Sequence, residues 1–280
     1  MGNIRVLGTS QRAGALVDDL RYTGMDDHEV EAFLVRPRDD GERGAANANR
    51  GPGILLWHWL DSEAPDGNRT QYLDEAGSLA EAGVVSLLPQ GRFPWQIAPK
   101  TAAADFAEIE AEVGRLRAGL DVLAERPDVD PTRLAVVGHD FGGMLAAVAA
   151  AEETRLRALV IVAATPRWGD WFLRFWPIAD DRIDYLRAVR PVDPIERIGE
   201  CAPAAVLSQF AERDFYIAPM TALELHRAAP EGSELAWYDT GHDMRLPEIA
   251  NDRRAFLARV LGFEAPGSDA SRSVDQAATT

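Results

Sequence analysis

Residues 134–150 read LAVVGHDFGGMLAAVAA, and the fold turns on how they are read. The apolar, partly β-branched opening suits a buried strand, and the Ala-rich end suits a helix. Between them, Gly138, Asp140 and Gly142 fit a G-x-nucleophile-x-G turn. In such a turn small flanking residues let strand and helix pass closely while one side chain is held up. The plainer alternative is a strand-to-helix turn in which Asp140 merely caps the helix. A nucleophile's turn that holds a carboxylate needs a chemical reason.

Outward from this turn, strand and helix patterns alternate. GILLWHWL (53–60) is a near-continuous apolar run, as expected when both faces of a parallel sheet are covered. A helix ending near Gly83 follows, then the strand VVSLLP, then a long helix over about 101–126. Beyond the turn come the strand RALVIVAA, a strand near CAPAAVLSQF, a helix, the strand ELAWYDTGH and a closing helix. ALVDDLRYT and HEVEAFLVRP read as two early strands, residues 1–12 as loosely ordered, and 39–52 as a loop-rich connection. The pattern predicts an α/β fold, mostly parallel, with helices on both faces. One domain is expected over 13–263, with a helical lid excursion at 166–198 and a disordered tail at 264–280.

The 280 residues are 46% hydrophobic and carry a net charge of −16. That charge argues against nucleic acid and anionic membrane surfaces as partners. Cys201 stands alone, so an internal disulfide is excluded, and it reads as an apolar filler ahead of a strand. No run reaches the length of a membrane helix, and a cytoplasmic location is the default expectation. With one cysteine and no histidine pair at ligand spacing, no metal set is expected, and no phosphate loop occurs. A small-molecule substrate and no cofactor are expected; a homodimer is left open.

Partners for Asp140 follow in the order nucleophile, acid, histidine. Asp214 lies just after a strand in SQFAERDFYIAP, and His242 lies in the loop YDTGHDM after the last strand. Asp170, in TPRWGDW, is a second candidate acid. His28 and His226 read as solvated.

On these residues the chain, over about 15–262, resembles α/β-hydrolase-fold proteins. Its early strands and LAEAGVVSLLPQGR are similar to dienelactone-hydrolase-like members. GHDFGG instead resembles the GHDWGG of haloalkane dehalogenases and epoxide hydrolases. The resemblance implies oxyanion donors on the backbone of Phe141 and Trp59. Trp59 stands where such proteins usually have glycine. It also implies that Asp140 attacks a saturated carbon to form an alkyl ester, which water activated by His242 then cleaves. Attack on an acyl carbon would give only a mixed anhydride. Asp214 would orient the imidazole.

Phe141 has no side-chain N–H to hold a halide, whereas Tyr185 in the lid and Tyr216 could protonate an opening epoxide. Epoxide opening therefore ranks above dehalogenation. An acid–base role in a cyclase, lyase or isomerase is the main alternative, followed by ester or lactone hydrolysis and then a binding-only protein. Trp171 and Trp176, among the lid aromatics, are expected over an apolar substrate. His58, Arg92 and Trp95 are expected beside the pocket. Arg92, by resemblance to dienelactone hydrolases, is a candidate anchor for a substrate carboxylate, with Arg245 a weaker one.

Overall fold

The computed structural model describes residues 4–12, 14–38, 50–61, 63–92 and 101–265. Residues 39–49 of the loop expected over 39–52, Trp95 and the tail beyond residue 265 fall outside these.

Among the described residues nine strands form one sheet: β1 (Arg5–Arg12), β2 (Ala15–Thr23), β3 (Glu29–Pro37), β4 (Gly51–Trp57), β5 (Val85–Pro89), β6 (Val129–His139), β7 (Leu156–Val162), β8 (Ala205–Ala211) and β9 (Glu234–Tyr238). Their order is β1-β2-β3-β5-β4-β6-β7-β8-β9. The first three strands are antiparallel to their neighbours, and the pairs from β5–β4 through β8–β9 are parallel. A mostly parallel α/β sheet is therefore what the chain forms. One expectation fails: residues 5–12 are a regular edge strand, not a loose end. All eight of its residues are exposed, so no buried face imposes the apolar alternation by which a strand is read.

Between the strands run α1 (Leu73–Glu81), α2 (Ala102–Ala124), α3 (Phe141–Ala150), α4 (Gly169–Phe175), α5 (Arg182–Val189), α6 (Pro194–Arg197) and α7 (Pro219–Ala228), and α8 (Pro247–Leu261) follows the last of them. Alternate residues of β4 point to opposite faces. Leu55 and Trp57 join Ile109, Leu116 and Met144 of α2 and α3 in one core layer. Ile54 and Leu56 join Leu79, Phe256 and Leu257 of α1 and α8 in the other. That double burial explains the unbroken apolar run GILLW.

The helix ends follow local chemistry. Thr101 Oγ1 accepts the Ala104 N–H at the start of α2, Gly83 turns the chain after α1 with φ +85°, and Gly262 does so after α8 with φ +71°. Cys201 is buried ahead of β8, and burial pushes its thiol up to about 11.

The excursion between β7 and β8 carries α4, α5 and α6, packed onto the body by its aromatics. Trp168 is fully buried, donating its Nε1–H to Val192 C=O at 2.7 Å. Tyr185 is equally buried on α5, its hydroxyl donating to Asp105 Oδ2 on α2 at 2.8 Å.

Candidate active site

The turn after β6 forces an unusual backbone. Asp140 has φ +54° and ψ −119°, a conformation that side-chain-bearing residues adopt only where the surroundings impose it. Those surroundings are glycine. A Cβ on Gly138 would stand 2.1 Å from the Gly142 carbonyl oxygen, and one on Gly142 would stand 2.6 Å from that of Trp57. The Asp140 side chain makes no capping hydrogen bond to α3. The cap reading of the sequence is thereby set aside, and the carboxylate stands at the C-terminal edge of the parallel strands, buried to 1% exposure.

Two loops from the same edge meet it. After β9, His242 places Nε2 3.6 Å from Asp140 Oδ1, too far for a hydrogen bond but within ion-pair reach. Its Nδ1–H donates to Asp214 Oδ2 at 2.8 Å. After β8, Asp214 is fixed in turn, its Oδ1 accepting the N–H groups of Tyr216 at 2.8 Å and Ile217 at 3.0 Å. Asp170 sits instead in the first turn of α4, where burial raises its carboxyl and nearby Arg167 offsets part of the effect. Of the two candidate acids, Asp214 is the one on the histidine.

The charges here are coupled. Burial raises the Asp140 carboxyl, opposed by His242 and by backbone hydrogen bonds from Phe141 and Leu60. Burial would depress His242, yet the carboxylates of Asp140 and Asp214 outweigh it and hold the imidazole at about 10.

The backbone donors depart from expectation in one place. The N–H groups that meet the Asp140 carboxyl are those of Phe141 and Leu60, and not that of Trp59. The Trp59 N–H is taken by Gln71 Oε1 at 2.7 Å. Gln71 then donates its Nε2–H to His139 Nδ1 at 2.8 Å, and His139 donates its Nε2–H to the His242 carbonyl at 2.9 Å. Burial keeps His139 well below the ordinary histidine range, with the His242 charge adding to the effect, so this chain runs through a neutral ring. It joins the loop after β4, the turn at Asp140 and the loop of His242.

A cavity of about 410 Å³ is lined by Asp140 together with Trp59, Leu60, Asp61, Phe141, Trp171 and Phe175, with Trp176, Tyr216 and His242 completing it. The Trp59 side chain does line it, its ring stacked on His139 at 5.3 Å. Trp171 stands at the centre of the lid side, its ring 5.4 Å from Phe141, 5.3 Å from Tyr216 and 5.8 Å from His242. Three buried polar atoms around the cavity have no hydrogen-bond partner among the described residues: Asp140 Oδ1, His242 Nε2 and Trp171 Nε1.

Other expected pocket residues lie elsewhere. Tyr185 is held on Asp105 in the body, away from the cavity. His58 is fully buried, donating Nδ1–H to Trp59 C=O and accepting the Gly91 N–H at 2.9 Å. Burial lowers it to about 4, so it is a neutral tie between two loops. Arg92 lines a separate cleft with Arg21, Glu31 and Arg115. Arg245 is engaged with Asp66 at 2.8 Å. Neither arginine reaches the cavity, because each leaves its loop toward acidic partners or solvent. His28 is exposed as expected, whereas His226 is half-buried against Ser208 Oγ at 3.2 Å. Leu60, Asp61 and Gln71 escaped the sequence reading; only the place of Leu60 and Asp61 directly after WHW hinted at them. No group of metal-ligating side chains occurs among the described residues, nor does any helix there have the length and apolarity to cross a membrane.

No family model matches this chain, and no curated protein matches it. Solved structures do. An acetyl xylan esterase from a Paenibacillus species superposes with TM-score 0.66 at 17% identity, covering 92% of this chain and 88% of the other. The α/β hydrolase GrgF from a Penicillium species gives 0.63 at 16% identity, covering 88% and 99%. A cold-adapted esterase from an Arctic intertidal metagenomic library gives 0.63 at 13% identity, covering 93% and 99%. At such identities the likeness speaks for architecture, and together with the strand order and the strained turn at Asp140 it gives one result: the chain has the α/β-hydrolase fold.

Proposed function

We propose that the chain is a hydrolase that opens an alkyl electrophile, an epoxide or a comparable substrate, through an ester on Asp140. The observation that carries this reading is a trio of buried polar atoms at one cavity that make no hydrogen bond among the described residues. Buried polar atoms rarely go without a hydrogen bond; here Asp140 Oδ1 and His242 Nε2 have only each other, at 3.6 Å, and Trp171 Nε1 has no acceptor among the described residues. Their chemistry suggests an electrophilic carbon for the carboxylate and an oxygen or halide leaving group for the indole N–H.

In the first step Asp140 Oδ1 bonds to the substrate carbon as the bond to the leaving group breaks, its electron pair departing with that group. Asp140 thereby becomes a neutral ester. The loss of its charge removes one of the two carboxylates that hold His242 protonated, so the imidazolium gives its proton to the leaving oxygen, or to solvent when a halide leaves, and the neutral ring becomes the base. In the second step His242 takes a proton from water, and the hydroxide adds to Asp140 Cγ. The N–H groups of Leu60 and Phe141 stabilise the oxyanion. Collapse breaks the Cγ–Oδ1 bond and the departing alkoxide takes the proton of the newly added hydroxyl, so the product alcohol keeps Oδ1, the carboxylate is rebuilt with the water oxygen, and His242 is left protonated as at the start.

With Tyr185 committed to Asp105, Tyr216 is the tyrosine that remains at the cavity for an epoxide oxygen, and the indole of Trp171 brings a donor that also suits a halide. The fold likeness to esterases supports ester hydrolysis as a competing activity, but an aspartate attacking an acyl carbon gains only an anhydride. A second reading rests on the imidazole held as a cation between two carboxylates: His242 as acid and Asp140 as base in a non-hydrolytic isomerisation or elimination.

The deciding experiment uses His242→Gln with epoxides, alkyl halides and simple esters, read by intact mass. An alkyl adduct on Asp140, and water-derived label appearing in Asp140 during a single turnover of the parent, support the ester route. Turnover with neither adduct nor label would replace it with the acid–base reading. Turnover of the simple esters alone would replace it with ester hydrolysis.

A further inference from the structure

The sign of the cavity's charge selects among substrates. Six of its ten lining residues are aromatic, and the charged ones are Asp61, Asp140 and His242; no lysine or arginine lines it among the described residues. Asp61 is half-buried and is one of the residues of that wall. It accepts the Glu63 N–H at 2.8 Å and forms no ion pair with a described residue. A carboxylate-bearing substrate would be set beside Asp61 and Asp140 with no guanidinium to receive it, because Arg92 lines another cleft and Arg245 is engaged with Asp66.

The walls favour the opposite charge. The ring of Trp171 faces those of Phe175 and Tyr216, each at 5.3 Å, and Tyr216 leans on His242 at 5.0 Å. Aromatic faces attract cations through the ring quadrupole, most strongly where water is excluded. Two rings of this group already hold guanidinium groups from residues that do not line the cavity. Arg245 lies 5.9 Å from the Trp59 ring centre, and Arg174 lies 5.0 Å from that of Phe175. The net charge of −16 adds a field that draws cations to the surface.

We propose that the substrate carries an amine or quaternary ammonium group, seated in the cavity against the aromatic wall that Trp171 and Tyr216 form together, with the Asp61 carboxylate as its counter-ion. The inference rests on the reading of this cavity as the substrate pocket, and it adds the substrate's charge.

Three unreactive probes of matched shape test it on the full chain: benzyltrimethylammonium, its uncharged carbon isostere neopentylbenzene, and phenylacetate. Binding is followed by tryptophan fluorescence at low salt. The ammonium is expected to bind about tenfold more tightly than the isostere, the scale of a desolvated cation on aromatic faces. Phenylacetate is expected to bind most weakly. Asp61→Asn keeps an acceptor for the Glu63 N–H, and should weaken the ammonium three- to tenfold while leaving the isostere unchanged. Equal or tighter binding of the isostere, tighter binding of phenylacetate, no saturable binding of the ammonium, or no selective effect of Asp61→Asn overturns the proposal. None of these probes can alkylate Asp140. The absence of an adduct with reactive electrophiles would therefore count against the proposed function and not against these results.

Discussion

The side-chain carbonyl of Gln71 accepts the main-chain N–H of Trp59 at 2.7 Å, and this one bond decides which amide faces Asp140. With Trp59 occupied, the Leu60 N–H is the one that reaches the carboxylate. Gln71→Leu should free that peptide, misalign Leu60 and loosen the carbonyl end of the His242 loop. Loss of one oxyanion donor costs about a hundredfold in kcat, and that scale is expected here with KM little changed. Gln71→Glu tests the same chain by charge. Its second oxygen would face the lone pair of His139 Nδ1 and call a proton onto that ring, which nitrogen-15 NMR reports directly. A kcat untouched in Gln71→Leu, or a neutral His139 in Gln71→Glu, would show the chain to be idle.

The pH behaviour follows from the two carboxylates around His242. The ring is held at about 10 against an ordinary 6.5. A group raised on folding lends stability fully below its unfolded value and loses it as pH climbs through the folded one. The fold should therefore lose stability between about pH 6.5 and 10 on this account. Asp140→Asn takes away one carboxylate, so His242 should titrate lower in the fold, and the loss, still beginning near 6.5, should be smaller and complete at a lower pH. Carbon-13 NMR of the imidazole, with urea melts across the range, measures both. Because Asp140 must be ionised to attack and burial raises its carboxyl, the acid limb of kcat/KM should lie above the ordinary carboxylate range.

Gly142→Ala probes the turn itself. The new methyl would sit 2.6 Å from the Trp57 carbonyl oxygen and 2.7 Å from that of His58. Both contacts are backbone, so neither can swing away. A loss of about 3 kcal/mol, the upper range for overpacking, should appear in the urea midpoint. A wild-type midpoint would mean that strand and helix do not approach so closely.

Tyr185→Phe separates scaffold from chemistry. The hydroxyl holds a buried carboxylate of α2 at 2.8 Å, so its removal should cost about 1–3 kcal/mol of stability. kcat/KM should stay within twofold. A large fall in activity without a fall in stability would return Tyr185 to the reacting groups.

Sequence reading found the elements wherever burial imprinted a period. β4 and β7 are apolar because both faces are covered, and the glycines of the Asp140 turn are dictated by backbone contacts that no side chain tolerates. Chain order alone placed Asp214 and His242, since both loops leave the same sheet edge. The failures have a common cause. Leu60 displaced Trp59 as donor because an amide from a distant loop, Gln71, competes for the same peptide, and no spacing encodes that. Tyr185 and Arg92 were misplaced because a residue's loop can be read from sequence while its side chain's direction cannot. β1 went unseen because every one of its residues meets water.

Gly142 also constrains how this protein could diversify. Its α-carbon is pinned against the carbonyls of Trp57 and His58, so the nucleophile's turn and the end of β4 are locked to one another like two teeth of a gear. The floor of the cavity has almost no room to vary. New ligand preferences would have to arise in its roof, on α4 and the segment that carries Tyr216, where a substitution meets rings and solvent in place of rigid main chain.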